Sequence, residues 1–153
     1  MKAISLKIKA VLLAKAQEKL QSQIQDMEGQ LAELLKAGAE HGKSSAGDKY
    51  ETQGEMLKQS RNMLEVQWSR TKQMLDQLNR IPFQALQSVQ EGALIKLSIG
   101  CIWISVPLGK LEHEGHEYQL ISKDAPLSLT LKSLKTGESC LFRGKKMVVE
   151  KLI

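Results

Sequence analysis

The sequence predicts an α+β protein: an antiparallel helical hairpin (coiled coil) followed by a small antiparallel-sheet domain with one helix. Three observations lead there. Proline is absent until Pro82 and then recurs at Pro107 and Pro126, and strand-forming clusters lie only beyond the same point. Apolar residues before it recur at helical spacing. A short glycine- and serine-rich stretch splits that helical pattern in two. The grammar changes at Arg80-Ile81-Pro82, which sets expected domains of 1–80 and 81–153.

In the first part, Leu13, Leu20, Ile24, Met27, Leu31 and Leu34 follow one another at steps of seven, four, three, four and three. Leu57, Leu64, Trp68, Leu75 and Leu78 repeat the rule, with Arg61 and Thr71 at two seam positions. Each series makes one apolar stripe among Gln, Lys and Glu. Gly38, Gly42 and the run Lys43-Ser44-Ser45-Ala46-Gly47-Asp48 separate the two. Two stripes joined by a short turn are buried most simply by facing each other in an antiparallel pair. Arms of roughly 30 residues would each reach about 45 Å, with a tip at about residues 43–52.

In the second part, Ala93–Ile99 and Cys101–Val106 read as strands around Gly100. Glu117–Ser122 and Met147–Leu152 are further candidates, the latter after the turn Arg143-Gly144-Lys145. Pro126–Leu134 suits a short helix with proline in its first turn, followed by the turn Lys135-Thr136-Gly137-Glu138. Four or five antiparallel strands with one helix across them make a compact α+β unit.

Composition excludes several classes. The 153 residues are 42% hydrophobic and 25% charged, too apolar for a disordered chain. No apolar run approaches the roughly 20 residues that span a bilayer. Met1–Lys9 holds three lysines but no cleavage region, so no secretory signal is read, and a cytoplasmic protein is expected. Cys101 and Cys140 are too few for a disulfide scaffold or zinc site, and they suit small buried apolar positions. The net charge of +5 is spread over both parts, and no Lys/Arg run interleaves with aromatics as a nucleic-acid module requires. Gly38–Ser44 has three residues between its glycines where a phosphate loop needs four, and it follows a helix rather than a strand. His113-Glu114-Gly115-His116 spaces its histidines by three around a glycine, which reads as an exposed hairpin turn rather than a zinc motif. No nucleophilic triad can be assembled, since His41 has no third partner.

One constellation remains at the hairpin tip: Asp48 and Glu51, with Glu55 nearby. If the second helix starts near Asp48, both carboxylates lie on its first turn. Capping and the helix dipole account for an Asp and a Glu there. A position at the end of a rod adds a second account, in which two hard oxygen donors share a Mg²⁺ whose remaining ligands a partner supplies. Tyr50 stands between the two carboxylates and reads as a partly exposed packing residue.

The whole chain resembles the Gre family of bacterial transcript-cleavage factors. Gly47-Asp48-Lys49-Tyr50-Glu51 is similar to the family's Gly-Asp-x-x-Glu tip. Ala125-Pro126-Leu127, leading through Leu131 and Leu134 to Lys135-Thr136-Gly137-Glu138, is similar to its Ser-Pro-apolar helix and following turn. Arg143-Gly144-Lys145-Lys146-Met147-Val148-Val149-Glu150 resembles its last hairpin. After Glu51 the chain departs from the family's Asn and acidic-aromatic pair, reading Thr52-Gln53-Gly54-Glu55. The resemblance implies an FKBP-like second domain and RNA polymerase as partner. The tip would enter the polymerase secondary channel, where Asp48 and Glu51 would support a second Mg²⁺ beside a backtracked RNA 3′ end, with Tyr50 and Glu55 as tip contacts. It implies a monomer with no catalytic site of its own, which stimulates the polymerase's nuclease activity. Two other readings are compatible with the residues: a channel-occupying regulator without cleavage, and a coiled-coil adaptor unconnected with transcription, which would be dimeric.

Overall fold

The structure is a computed structural model that describes residues 4–42 and 49–153, with the side chains of all of these except 40–42 and 49–53. Two long helices come first, α1 (Leu6–Gly42) and α2 (Lys49–Arg80). Six strands and one short helix follow: β1 (Leu94–Leu97), β2 (Gly100–Ser105), β3 (Gly109–His113), β4 (His116–Ser122), α3 (Pro126–Leu131), β5 (Ser139–Phe142) and β6 (Lys145–Leu152). The expected α+β class and element order are those of the molecule. Two compact units result: one takes α1 up to Gln17 and the chain from Asp76 to Ile153, and the other is Glu18–Leu75.

Ser5 starts α1. Its hydroxyl accepts from the Ile8 amide at 3.3 Å, which occupies one of the donors a helix start leaves unpaired, and its carbonyl accepts the first helical bond, from the Lys9 amide at 3.0 Å. In the 18–75 unit the stripes behave as their spacing predicts. Leu20 and Ile24 are buried. Met27, Leu31 and Leu34 on α1, and Leu57, Arg61, Leu64, Trp68, Thr71 and Leu75 on α2, are half-buried between exposed neighbours.

The sheet has the order β3-β4-β2-β1-β6-β5. Four of its pairings are antiparallel, and β2 and β4 run parallel, with Cys101 opposite Tyr118 and Ser105 opposite Ser122. The sheet is therefore mixed rather than wholly antiparallel. β4 inserts between β2 and β3, because a two-residue turn joins β3 to β4 while the longer link from β2 leads to the outside. That turn places Glu114 and Gly115 at φ +50° and +80°, the left-handed pair that matches hairpin twist. His113 and His116 flank it as register partners, so the expected hairpin turn is present.

β3 and β5 were not anticipated, for a common reason. Both are edges, where a strand pairs on one side only and shows little apolar alternation. Leu111 is the one buried residue of β3, and β5 has none. The central strands carry apolar residues on both faces, as a sheet covered on both sides requires. Ile95, Leu97, Ile102, Ile104, Met147 and Val149 pack with Val89 and with Leu131 of α3. By register the opposite face presents Leu94, Trp103, Tyr118 and Leu120, also buried. The start of α1 is tied to this unit. Lys15 Nζ donates to the Glu112 carbonyl at 2.6 Å, and Gln17 Nε2 donates to Asn79 Oδ1 at 2.8 Å.

α3 is shorter than expected, ending at Leu131. Lys132 turns extended and Ser133 adopts φ +70°. Ser128 Oγ donates to the Ser122 carbonyl at 2.6 Å, and the amides of Val89 and Ser133 bond to the carbonyls of Leu134 and Val89. These bonds lock α3 and its exit against the segment that precedes β1.

Candidate functional site

Gln23, Asp26 and Met27 share a cleft with Gln67, Arg70 and Thr71. Further along, Gln30 and Ala37 face Gln67 and Ser60. Leu34, Gly38 and Ala39 then line a cleft of about 350 Å³ with Gly54, Leu57 and Arg61. As numbers rise on α1 they fall on α2, so the two arms pair antiparallel within the chain. At 37 and 32 residues they are about 55 and 48 Å long.

Polar groups interrupt the seam where the sequence placed them. Arg61 Nε lies 3.8 Å from Glu65 Oε1, both side chains about half exposed, and the same nitrogen makes no hydrogen bond. Trp68 Nε1 is likewise buried without a partner, and Lys72 Nζ sits 4.5 Å from the Trp68 ring centre. Thr71 satisfies its hydroxyl locally, donating to the Gln67 carbonyl at 2.8 Å.

Of the predicted site residues, Asp48 lies outside the described residues, as do the side chains of Tyr50 and Glu51. The α2 backbone is helical from Lys49, which puts Glu51 in its first turn. Glu55 is exposed one turn on. Gly38–Gly42 is the last stretch of α1, so the rejected phosphate loop is helix as far as it is described. Among the described residues, no three His, Cys, Asp or Glu side chains gather so as to hold a metal ion. No helix among them is long and apolar enough to cross a membrane.

The sheet unit has chemistry of its own. A cleft of about 390 Å³ has Ile102, Ile121 and Leu127 in its lining, with Ile99, Cys101 and the Lys110–Glu117 ion pair (3.8 Å). Burial raises the Cys101 thiol above its ordinary value; Lys96 opposes that shift and Glu150 adds to it. Burial likewise raises the Tyr118 phenol. Both cysteines are free and half-buried.

Lys9 escaped sequence reasoning altogether. Its side chain is 0% exposed, and its Nζ donates to the carbonyls of Gln84 at 3.0 Å and Ile153 at 3.2 Å. Desolvation lowers its pKa from 10.5 to about 8. A signal existed: Lys9, Leu12, Ala16, Leu20 and Ile24 are all buried, at steps of three, four, four and four along one face. Lysine occupies the first of those core positions.

No protein-family profile and no curated protein matches the chain. Among solved structures it is similar to GreA factor homolog 1 (Gfh1) of Thermus thermophilus, at 18% identity over 90% of this chain and 94% of that one, with a TM-score of 0.37. A second structure of the transcription factor Gfh1 gives 18% identity, 90% and 92% coverage and a TM-score of 0.36.

Proposed function

We propose that the chain is a Gre-like elongation factor that acts on RNA polymerase through the tip of its helical pair. One observation carries the reading. Gly47-Asp48-Lys49-Tyr50-Glu51 stands where one long helix gives way to another that runs antiparallel to it. A carboxylate pair at such a junction can be delivered into a channel too narrow for a globular unit. Asp48 and Glu51 are hard oxygen donors three residues apart, with Glu51 on a first helical turn, and this donor chemistry fits Mg²⁺. That ion, when bound, polarises phosphodiester oxygens and lowers the pKa of a coordinated water.

The chain's own residues then have separate tasks. The seams from Leu20 to Leu34 and from Leu57 to Leu75 keep the two arms together. Asp48 and Glu51 lend ligands, with Tyr50 and Glu55 as tip contacts, and the sheet unit docks at the channel rim. The polymerase supplies the remaining ligands and the substrate, so the chain catalyses nothing alone. Both seams are occupied within one chain, which supports a monomer over an intermolecular coiled coil. The departure at Thr52-Gln53-Gly54-Glu55 favours a second reading, occupation of the channel without cleavage.

The test is RNA cleavage in a purified, backtracked elongation complex with Mg²⁺, comparing wild type with Asp48→Asn and Glu51→Gln. Shortened RNA that depends on both carboxylates is the expected result. Polymerase binding without cleavage would leave the regulator reading. Loss of both with a matched polymerase would remove polymerase as the partner and make the adaptor the leading reading.

A further inference from the structure

The two edges of the sheet carry opposite charge. At the β3–β4 end stand Glu112, Glu114 and Glu117; at the other end are β5 and β6. Residues 132–151 hold six basic and two acidic side chains, whereas residues 81–131 hold three basic and five acidic. An average over the second half of the chain conceals this division, because the two stretches nearly cancel.

Pairing sharpens the contrast. The three basic residues of 81–131 each sit at an ion pair, Lys96 with Glu150 at 3.9 Å, Lys110 with Glu117 at 3.8 Å and Lys123 with Glu91 at 3.9 Å. Lys132, Lys135, Arg143, Lys145, Lys146 and Lys151 are all exposed, and among the described residues none of the six has an ion-pair partner. Of the two acids in the segment, Glu150 is held by Lys96, while Glu138, whose Oε1 accepts from the Lys135 amide at 2.9 Å, keeps its charge beside Lys135 and away from the Arg143–Lys146 turn. Arg143 lies over the Phe142 ring at 5.0 Å, which holds one cation at the hairpin tip.

We propose that the β5–β6 edge is a docking surface for the phosphodiester backbone of a nucleic acid. The chemistry discriminates between polyanions. Protein interfaces are depleted in lysine and organised around buried apolar groups. The β5–β6 hairpin offers Arg143, Lys145 and Lys146 within four residues, with Lys132 and Lys135 in the segment leading into β5, and Leu141, at 72% exposure, is the one exposed large apolar side chain of its two strands. Strongly positive, polar surfaces are the mark of nucleic-acid interfaces. Unpaired cations also release condensed counterions from phosphates without first breaking an ion pair of their own. The inference is independent of the polymerase reading and is tested without polymerase.

The experiment is fluorescence anisotropy of a labelled single-stranded RNA of about twenty nucleotides with the full chain, from about 50 to 200 mM salt. Lys145→Gln with Lys146→Gln is compared with Lys110→Gln and Lys123→Gln, a matched loss of two charges from paired lysines. The hairpin pair is expected to weaken binding about five- to tenfold and to reduce the logarithmic salt slope by about 1.4, while the matched pair stays within about twofold of wild type. Circular dichroism establishes that each variant is folded. Equal losses in the two variants would reduce the effect to net charge and overturn the proposal, as would no RNA binding at the lowest salt. Displacement of RNA by poly-glutamate at equal charge would assign the edge to an acidic protein, which also overturns it.

Discussion

Replacing Lys9 by methionine removes a buried titratable group while keeping an unbranched side chain of similar reach. In the folded protein the Lys9 ammonium is fully buried against the carbonyls of Gln84 and Ile153, and its pKa is lowered from 10.5 to about 8. Between those values the unfolded chain holds a proton that the native state has released, so stability rises with pH across the interval. At 1.36 kcal/mol per pKa unit, Lys9 adds on the order of 3 kcal/mol to the unfolding free energy between pH 8 and 10.5. Cys101 and Tyr118 act with the opposite sign. Their folded pKa values are raised, so the unfolded state loses its proton first and stability falls as pH climbs. The raw pH profile therefore mixes opposed contributions, and only the difference between wild type and Lys9→Met isolates Lys9. The variant also leaves two carbonyls without their donor, which offsets the whole curve and not its slope. The assay is urea unfolding followed by Trp103 fluorescence, in a Trp68→Phe background, at intervals from about pH 7.5 to 10.5. Relative to Lys9→Met, the protein with Lys9 should gain about 3 kcal/mol across that range. A difference flat to about 0.5 kcal/mol would refute the reasoning, since a lysine with an ordinary pKa gives no such slope.

Two further substitutions test the backbone. Gly92 has φ +95°, and an added Cβ would lie 3.0 Å from the Pro82 carbonyl oxygen and 3.2 Å from Ile81 Cγ2. Gly92→Ala should therefore cost about 2 kcal/mol or more, seen as a lower urea midpoint by Trp103 fluorescence. An unchanged midpoint would show that the segment before β1 yields to the new methyl group. Gly29 is exposed within α1, where an added Cβ meets nothing within 4 Å. Gly29→Ala should stabilise the helical pair by about 1 kcal/mol, read from Trp68 fluorescence in a Trp103→Phe background. A loss of stability would mean that the glycine serves a bend or a close approach absent from this geometry.

The helical half was largely legible because its information is local. A seam spaced at three and four names its own buried face, and Arg61 and Thr71 fell at half-buried positions even though neither is apolar. The hairpin turns were legible for a similar reason: Glu114-Gly115 and Arg143-Gly144 both adopt positive φ, which glycine at the second position makes inexpensive. β3 and β5 were not legible, because an edge strand gives up the apolar alternation by which a strand is recognised. The tip motif was readable as a string of residues, while its side-chain geometry lies outside the described residues.

Taken alone, the amino-acid order determined the fold class, the two seams from Leu20 and from Leu57 onward, and the hairpin turns at Glu114-Gly115 and Arg143-Gly144. All of these depend on neighbours a few residues apart. Tertiary structure alone decided the rest. It set β2 beside β4 in parallel, so that β3 and β5 became the two edges. It buried Lys9 beneath carbonyls 75 and 144 residues away. It also set the hairpin of Arg143, Lys145 and Lys146, which have no ion-pair partner among the described residues, at one end of the sheet and the acidic β3–β4 hairpin at the other. Which strands are neighbours, and which charges find partners, depends on contacts between distant parts of the chain, and no local periodicity encodes those.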